Sequence, residues 1–119
     1  MQALNKLQIR FIQSINGCTL STTNEKTEAK KFDALYLLSS SSFYIANADN
    51  LSSDIAKDIL GGKELVLTFK DKKKRLICRG TTTIIKRKDA EFTDASDFFT
   101  IKPSGINHII EFVINEVVS

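Results

Sequence analysis

Apolar residues change their spacing several times along this chain, and each change marks an element. Leu4, Leu7, Phe11 and Ile15 recur at helical intervals, with Asn5, Lys6, Gln8, Arg10 and Gln13 mostly elsewhere on the wheel. That spacing predicts an amphipathic helix over residues 3–15. Asn16-Gly17 supplies its stop, because glycine readily takes the left-handed conformation that closes helices. From Cys18 to Thr23 small and β-branched residues dominate, as in a strand. Asn24-Glu25-Lys26 is a turn into a second strand, Glu28 to Leu38. The serines at 39–42 are flanked closely by apolar strands and read as a hairpin loop, not a linker. Phe43 to Asn47 follows as a third strand.

Leu51, Ile55 and Ile59 stand four apart with Asp54, Lys57 and Asp58 between them, which predicts a short helix ended by Gly61-Gly62. Leu65, Leu67 and Phe69 then alternate with Glu64, Val66, Thr68 and Lys70, the clearest strand in the sequence. Asp71-Lys72-Lys73 is a hairpin tip, and Arg75 to Lys86 returns as a long strand in which Gly80 marks a bulge or a close backbone approach. Phe98-Phe99-Thr100-Ile101 reads as one more strand. After Pro103-Ser104, residues Ile106, Ile109, Ile110, Val113, Ile114 and Val117 repeat at helical spacing; their β-branched content also suits a strand, and spacing decides for a helix over 104–118. The expected order is helix, three strands, helix, two strands, then strand and helix. Consecutive hairpins with one helical crossover predict a mainly β (α+β) fold, an antiparallel barrel with flanking helices.

Composition narrows the picture by exclusion. A chain of 119 residues with 42% hydrophobic residues and no internal repeat is expected to form a single domain over 1–119. Asn5, Lys6, Gln8 and Arg10 interrupt any signal-peptide core, and no run approaches the ~20 apolar residues of a membrane helix. The expectation is a soluble cytoplasmic protein with no membrane partner and two reduced thiols, Cys18 and Cys78. His108 is the only histidine, so no tetrahedral zinc set exists in the sequence. Neither a Gly-rich phosphate loop nor a nucleophile elbow is present. No catalytic residue and no metal ligand is assigned, and any catalysis is expected to come from a bound cofactor.

Charge is unevenly spread. Nine of the 17 basic residues, from Lys70 to Lys88, fall within 19 positions. A solvated edge that resists aggregation accounts for them better than a nucleic-acid partner, since Phe69 is the segment's one aromatic for base stacking. Lys30-Lys31 enters apolar surroundings at Phe32, Ala34 and Tyr36. Alternation sends the two lysines to opposite faces, so one either meets an anionic ligand group or carries its ammonium out to water.

A glycine before Thr19-Leu20-Ser21-Thr22, a basic residue just before Phe32, a Phe43-Tyr44-Ile45 strand, a helix containing Asp54 to Ile59, a Leu-Val-Leu strand and a basic hairpin into Leu76-Ile77-Cys78-Arg79-Gly80 occur in that order. Over roughly residues 9–88 this succession resembles the pyridoxamine 5′-phosphate oxidase-like FMN-binding split-barrel family. The resemblance implies a homodimer of split β-barrels holding two FMN molecules in clefts between subunits. It puts Lys30 at the phosphate-contacting position, Lys31, Phe32 and Asp33 near the ring, and Tyr44, Ile45, Ala46 and Asn47 beside the cofactor. Ser52 and Ser53 are the nearest match to the family's phosphate loop. There, Asn50-Leu51-Ser52-Ser53-Asp54 replaces the usual Arg/Lys pair, and lysine at 30 lacks the bidentate fork of the usual arginine. Residues that mark true pyridoxamine phosphate oxidases at the substrate end are absent. The implied function is a flavin reductase-like or flavin-storage protein, an FMN-dependent oxidoreductase if it turns over. The alternatives are a flavin-free split barrel acting as a dimeric interaction module, and a small nucleic-acid-binding barrel using residues 70–88.

Overall fold

Asn5 opens the first helix. Its Oδ1 accepts the Gln8 N–H at 2.8 Å while Gln8 Oε1 accepts the Asn5 N–H at 2.9 Å, a reciprocal cap that satisfies two otherwise orphaned donors. The helix, α1 (Lys6–Ser14), begins a computed structural model that describes residues 3–15, 17–22, 30–32, 34–47, 53–99, 106 and 108–118. Ile12 is buried and Ile9, Phe11 and Ile15 pack on the core beside it. Leu7 shares the apolar spacing but stays exposed.

The strands are β1 (Cys18–Thr22), β2 (Lys30–Phe32), β3 (Ala34–Ser39), β4 (Ser42–Asn47), β5 (Leu65–Lys70), β6 (Arg75–Lys86) and β7 (His108–Val118), with α2 (Ser53–Leu60) and α3 (Phe92–Ser96) between them. All pairs are antiparallel, in the order β2-β1-β5-β6-β7-β4-β3. The single second strand expected from the sequence is thus two strands at opposite ends of the sheet. Lys30–Phe32 pairs with β1, and Ala34–Ser39 pairs with β4. The chain through residues 30–39 therefore runs from one edge of the sheet to the other, curving it into a mainly β split barrel whose edge strands are β2 and β3.

The barrel interior is filled by alternate residues of each strand, among them Leu20, Phe43, Ile45, Leu67, Cys78 and Ile110, all fully buried. Phe43 sits at its centre, 5.7 Å from the Phe69 ring and 6.2 Å from the Phe112 ring, both tilted. Each such phenylalanine contributes about 1.5–3 kcal/mol through burial alone. A second, smaller core lies outside the barrel. There α3 places Phe92 and Ala95 over Ala46, Ile85 and Ile109.

The C-terminal part of the chain reverses the expected order. Residues 108–118 are a strand, not a helix, and lie between β4 and β6 near the middle of the sheet. Ile110, Phe112 and Ile114 point into the barrel while Ile109 belongs to the outer core under α3. A strand covered on both faces carries apolar residues at consecutive positions, and that pattern imitates helical spacing. Phe98 and Phe99 are not a strand either. They form the turn that follows α3, where their N–H groups donate to the Ala95 and Ser96 carbonyls at 3.3 and 3.0 Å. Thr100 and Ile101 lie outside the described residues.

Turns behave as their residues dictate. Asp71 accepts the Lys73 and Lys74 N–H groups at 2.7 and 2.6 Å, fixing the β5–β6 tip and holding its own carboxyl below the usual range. Gly62 ends α2 at φ 69°. At Gly80 the register of β6 on β7 shifts, Arg79 facing Glu116 but Gly80 facing Ile114, so Asn115 is extra. A Cβ on Gly80 would overlap the Val113 carbonyl oxygen and stand 2.7 Å from Phe112 Cε1. Gly80→Ala is therefore expected to cost about 3 kcal/mol, read as a lower urea midpoint, because backbone and a core ring have to move. Burial pushes the Cys78 thiol from 9.0 up to about 12. Below pH 9 both folded and unfolded chains keep it protonated; as pH rises from 9 towards 12 only the unfolded chain ionises, so stability falls. Native Cys78 should resist iodoacetamide at pH 8 and react once the chain is unfolded, and Cys78→Ala should flatten the alkaline loss.

Candidate functional site

The break between Phe32 and Ala34 is where the fold gathers the residues singled out by sequence. Lys30, Lys31 and Phe32 stand in register with Leu20, Thr19 and Cys18, so Lys30 lies opposite a fully buried leucine. Beyond the break, Ala34 faces Ala46, and β2 lies in contact with β4. The Lys30–Phe32 segment and the Asn47 end of β4 are thereby neighbours although the sheet order places β2 and β4 far apart. Ser53 is the first residue of α2. Asp33 and Ser52 lie outside the described residues. Ile45 points into the barrel core, with its main chain between Leu35 and Ile110 in the sheet, whereas Tyr44 and Ala46 face outward.

The outward face carries a feature that sequence reading missed. Tyr36 on β3, Tyr44 on β4, Glu111 on β7 and Thr83 on β6 are successive cross-strand partners and form one row. Phe98, delivered by the turn after α3, stacks on Tyr36 at 4.6 Å and leans on Tyr44 at 5.8 Å. Phe98 and Tyr36 remain 45% and 38% exposed, so the three rings make an open aromatic ledge. Its rim is acidic. Burial raises the Tyr44 phenol above its ordinary value, and Glu111, Glu91 and Asp94 raise it further. An anionic group is disfavoured at this end of the face for the same reason.

Between the C-terminal end of α1, β3 and Phe69 lies a cleft of about 380 Å³. Ile12 and Ile15 of α1, Leu35, Leu37 and Phe69 supply apolar wall, with Gln13 and Tyr36 at its edge. The volume is in the range of small-molecule pockets. The signal for this site was partly present: apolar Leu35 and Leu37 alternate with Tyr36. Pairing Tyr36 with Tyr44, however, depends on a register shift between Leu37 and Ser39, for which the sequence gives no marker. Among the described residues no group of His, Cys, Asp and Glu could hold a metal ion.

Solved structures share this architecture. A candidate pyridoxamine 5′-phosphate oxidase from Lactobacillus delbrueckii superposes with a TM-score of 0.79 at 13% identity, covering 98% of this chain and 94% of that one. The fold is that of the pyridoxamine 5′-phosphate oxidase-like proteins. A Clostridium acetobutylicum protein related to general stress protein 26, of the pyridoxinephosphate oxidase family, gives 0.68 at 15% identity, covering 92% of this chain and 82% of its own. The FAD binding protein from Mycobacterium smegmatis gives 0.65 at 11% identity, with 98% and 94% covered. At these identities the likeness is one of fold. No protein-family model matches the sequence. The search of curated proteins found no significant match.

The ledge and the core should respond differently to truncation. Phe98→Ala removes two ring contacts from a half-exposed position and is expected to cost about 1 kcal/mol, while Phe112→Ala empties the barrel centre at about 3–5 kcal/mol. Urea unfolding of the two variants measures the contrast.

Proposed function

We propose that this chain is a small flavin-binding split barrel that takes FMN, acting as a flavin reductase-like or flavin-storage protein and working as a homodimer. The observation that carries the reading is the convergence of Lys30–Phe32 with the Asn47 end of β4 at the point where the barrel closes. Split barrels of this fold include an FAD binding protein. A cleft of about 380 Å³ with apolar walls lies beside β3, which fits a planar ring system better than a freely hydrated group.

The charge pattern orients the nucleotide. Lys30 and Lys31 offer cations for the phosphate, whereas the acidic rim around Tyr44 repels it, so the phosphate belongs at the β2 end. In this reading Lys30 pairs with phosphate, Ser52 and Ser53 donate hydrogen bonds, and Asn47 hydrogen-bonds near the ring or ribityl chain. Lys31, Phe32, Asp33, Tyr44, Ile45 and Ala46 complete the surroundings. A bound flavin supplies the redox chemistry; the chain supplies binding, orientation and a dry wall. The half-exposed Tyr36 and Phe98 favour a second copy over this face, since contiguous exposed aromatic surface commonly marks an interface.

Purified protein incubated with excess FMN and desalted should retain an oxidised-flavin absorption band. Lys30→Glu should lose the band while keeping the wild-type thermal midpoint. An unchanged flavin affinity in that variant would remove Lys30 as the anchor, and a colourless wild-type protein would favour the flavin-free interaction module.

A further inference from the structure

The basic segment of the sequence is not one patch. Lys86, Arg87 and Lys88 sit at one end of β6 and the β5–β6 tip sits at the other, with the 12-residue strand between them. At roughly 3.3 Å per residue the two groups are on the order of 30 Å apart. Lys86–Lys88 is followed at once by Asp89, Glu91, Asp94 and Asp97, which more than balance its three charges. The tip has no such neighbours in sequence. From Lys70 to Arg75 it carries five cations and one carboxylate, a net +4, against +3 for the whole chain. The rest of the protein is close to neutral, so the charge is concentrated at one pole.

The shape of that pole constrains what it can meet. Neighbouring strands hold β5 through Thr68 and β6 from Ile77. Lys70 to Arg75 are exposed, while Phe69 and Leu76 at the base are buried. The tip is a hairpin end with no ring exposed for base stacking and no apolar side chain to insert. Asp71 is engaged by the Lys73 and Lys74 N–H groups, so the turn is rigid and its lysines share one end of the molecule.

We infer that the β5–β6 tip docks the protein, by charge alone, on the flat anionic surface of a lipid bilayer. A cationic hairpin tip without an exposed ring fits a plane of headgroup phosphates and carboxylates better than a single-stranded nucleic acid, whose sites add stacking rings to a cationic groove. This attachment is peripheral; among the described residues no helix is long and apolar enough to cross a membrane. The expectation of no membrane partner drawn from the sequence rested on the lack of such a helix, and it gave no weight to charge gathered at one pole.

The test is co-sedimentation of the full chain with phosphatidylcholine vesicles, with and without phosphatidylserine, at low and raised salt. Binding is expected only with phosphatidylserine and is expected to fall steeply as salt rises. Each charge removed near the surface weakens partitioning about fivefold, so K72Q/K73Q/K74Q should lose on the order of 100-fold. These positions are exposed and the Asp71 cap uses only backbone N–H groups, so the variant should keep its thermal midpoint. K86Q/K88Q at the far end should bind as the wild type does. Equal binding to both vesicle types, an equal loss in K86Q/K88Q, or tighter retention on single-stranded DNA than on phosphatidylserine vesicles at the same salt would each overturn the proposal.

Discussion

Between Phe32 and Ala34 the chain leaves β1 and joins β4, and the rest of the structure depends on that change of partner. Without it the two end strands of the sheet, β2 and β3, would not be held near each other. With it, the inward residues of all seven strands share one interior, and Phe43, Phe69 and Phe112 can meet at its centre. The same step brings β2 beside β4 and leaves the cleft under α1. Closure and candidate site are thus consequences of a single backbone event.

Much of this was legible in the sequence because local rules governed it. Strict alternation from Leu65 to Phe69 could only be a half-buried strand, and Asp71 with its following lysines could only be a tip. Gly80 announced a close approach, and the Val113 carbonyl supplies it. The failures were non-local. β7 misled because both of its faces are covered, so Ile109 and Ile110 are apolar for two different cores. Phe98 was assigned to a strand because its apolar run is short, and only α3, five residues long, turns it outward against Tyr36. Sequence order drew attention to Lys30 and to Tyr44–Asn47, but the Tyr36–Tyr44 pairing follows from a register irregularity. An undistorted two-residue turn at Ser40-Ser41 would have set Tyr36 against Ile45 and so forced an outward ring and a core residue onto one face.

Charge tells a similar story at a larger scale. Nine basic residues within 19 positions look like a single basic segment when read along the chain. Extended into β6 they separate into two poles, one neutralised by the acids around α3 and one left bare. The acids also crowd the aromatic ledge, so one group of carboxylates balances Lys86–Lys88 and makes the outward face of β4 inhospitable to phosphate.

The central position of β7 has a consequence for how the molecule is made. A chain that has reached residue 99 holds the strands of two pieces of the sheet, β2-β1-β5-β6 and β4-β3, but lacks the strand that lies between them. Each piece ends in a long edge, β6 on one side and β4 on the other, waiting for the same late segment. Pairing with β7 joins residues as distant in sequence as Ser42 and Val113, which is the kind of contact that makes folding slow. The last strand is thus the seam of the barrel, and it fastens the serine turn as well: the Ile114 N–H donates to the Ser41 carbonyl at 2.8 Å, beside the Leu4 N–H that donates to the Ser40 carbonyl at 2.7 Å.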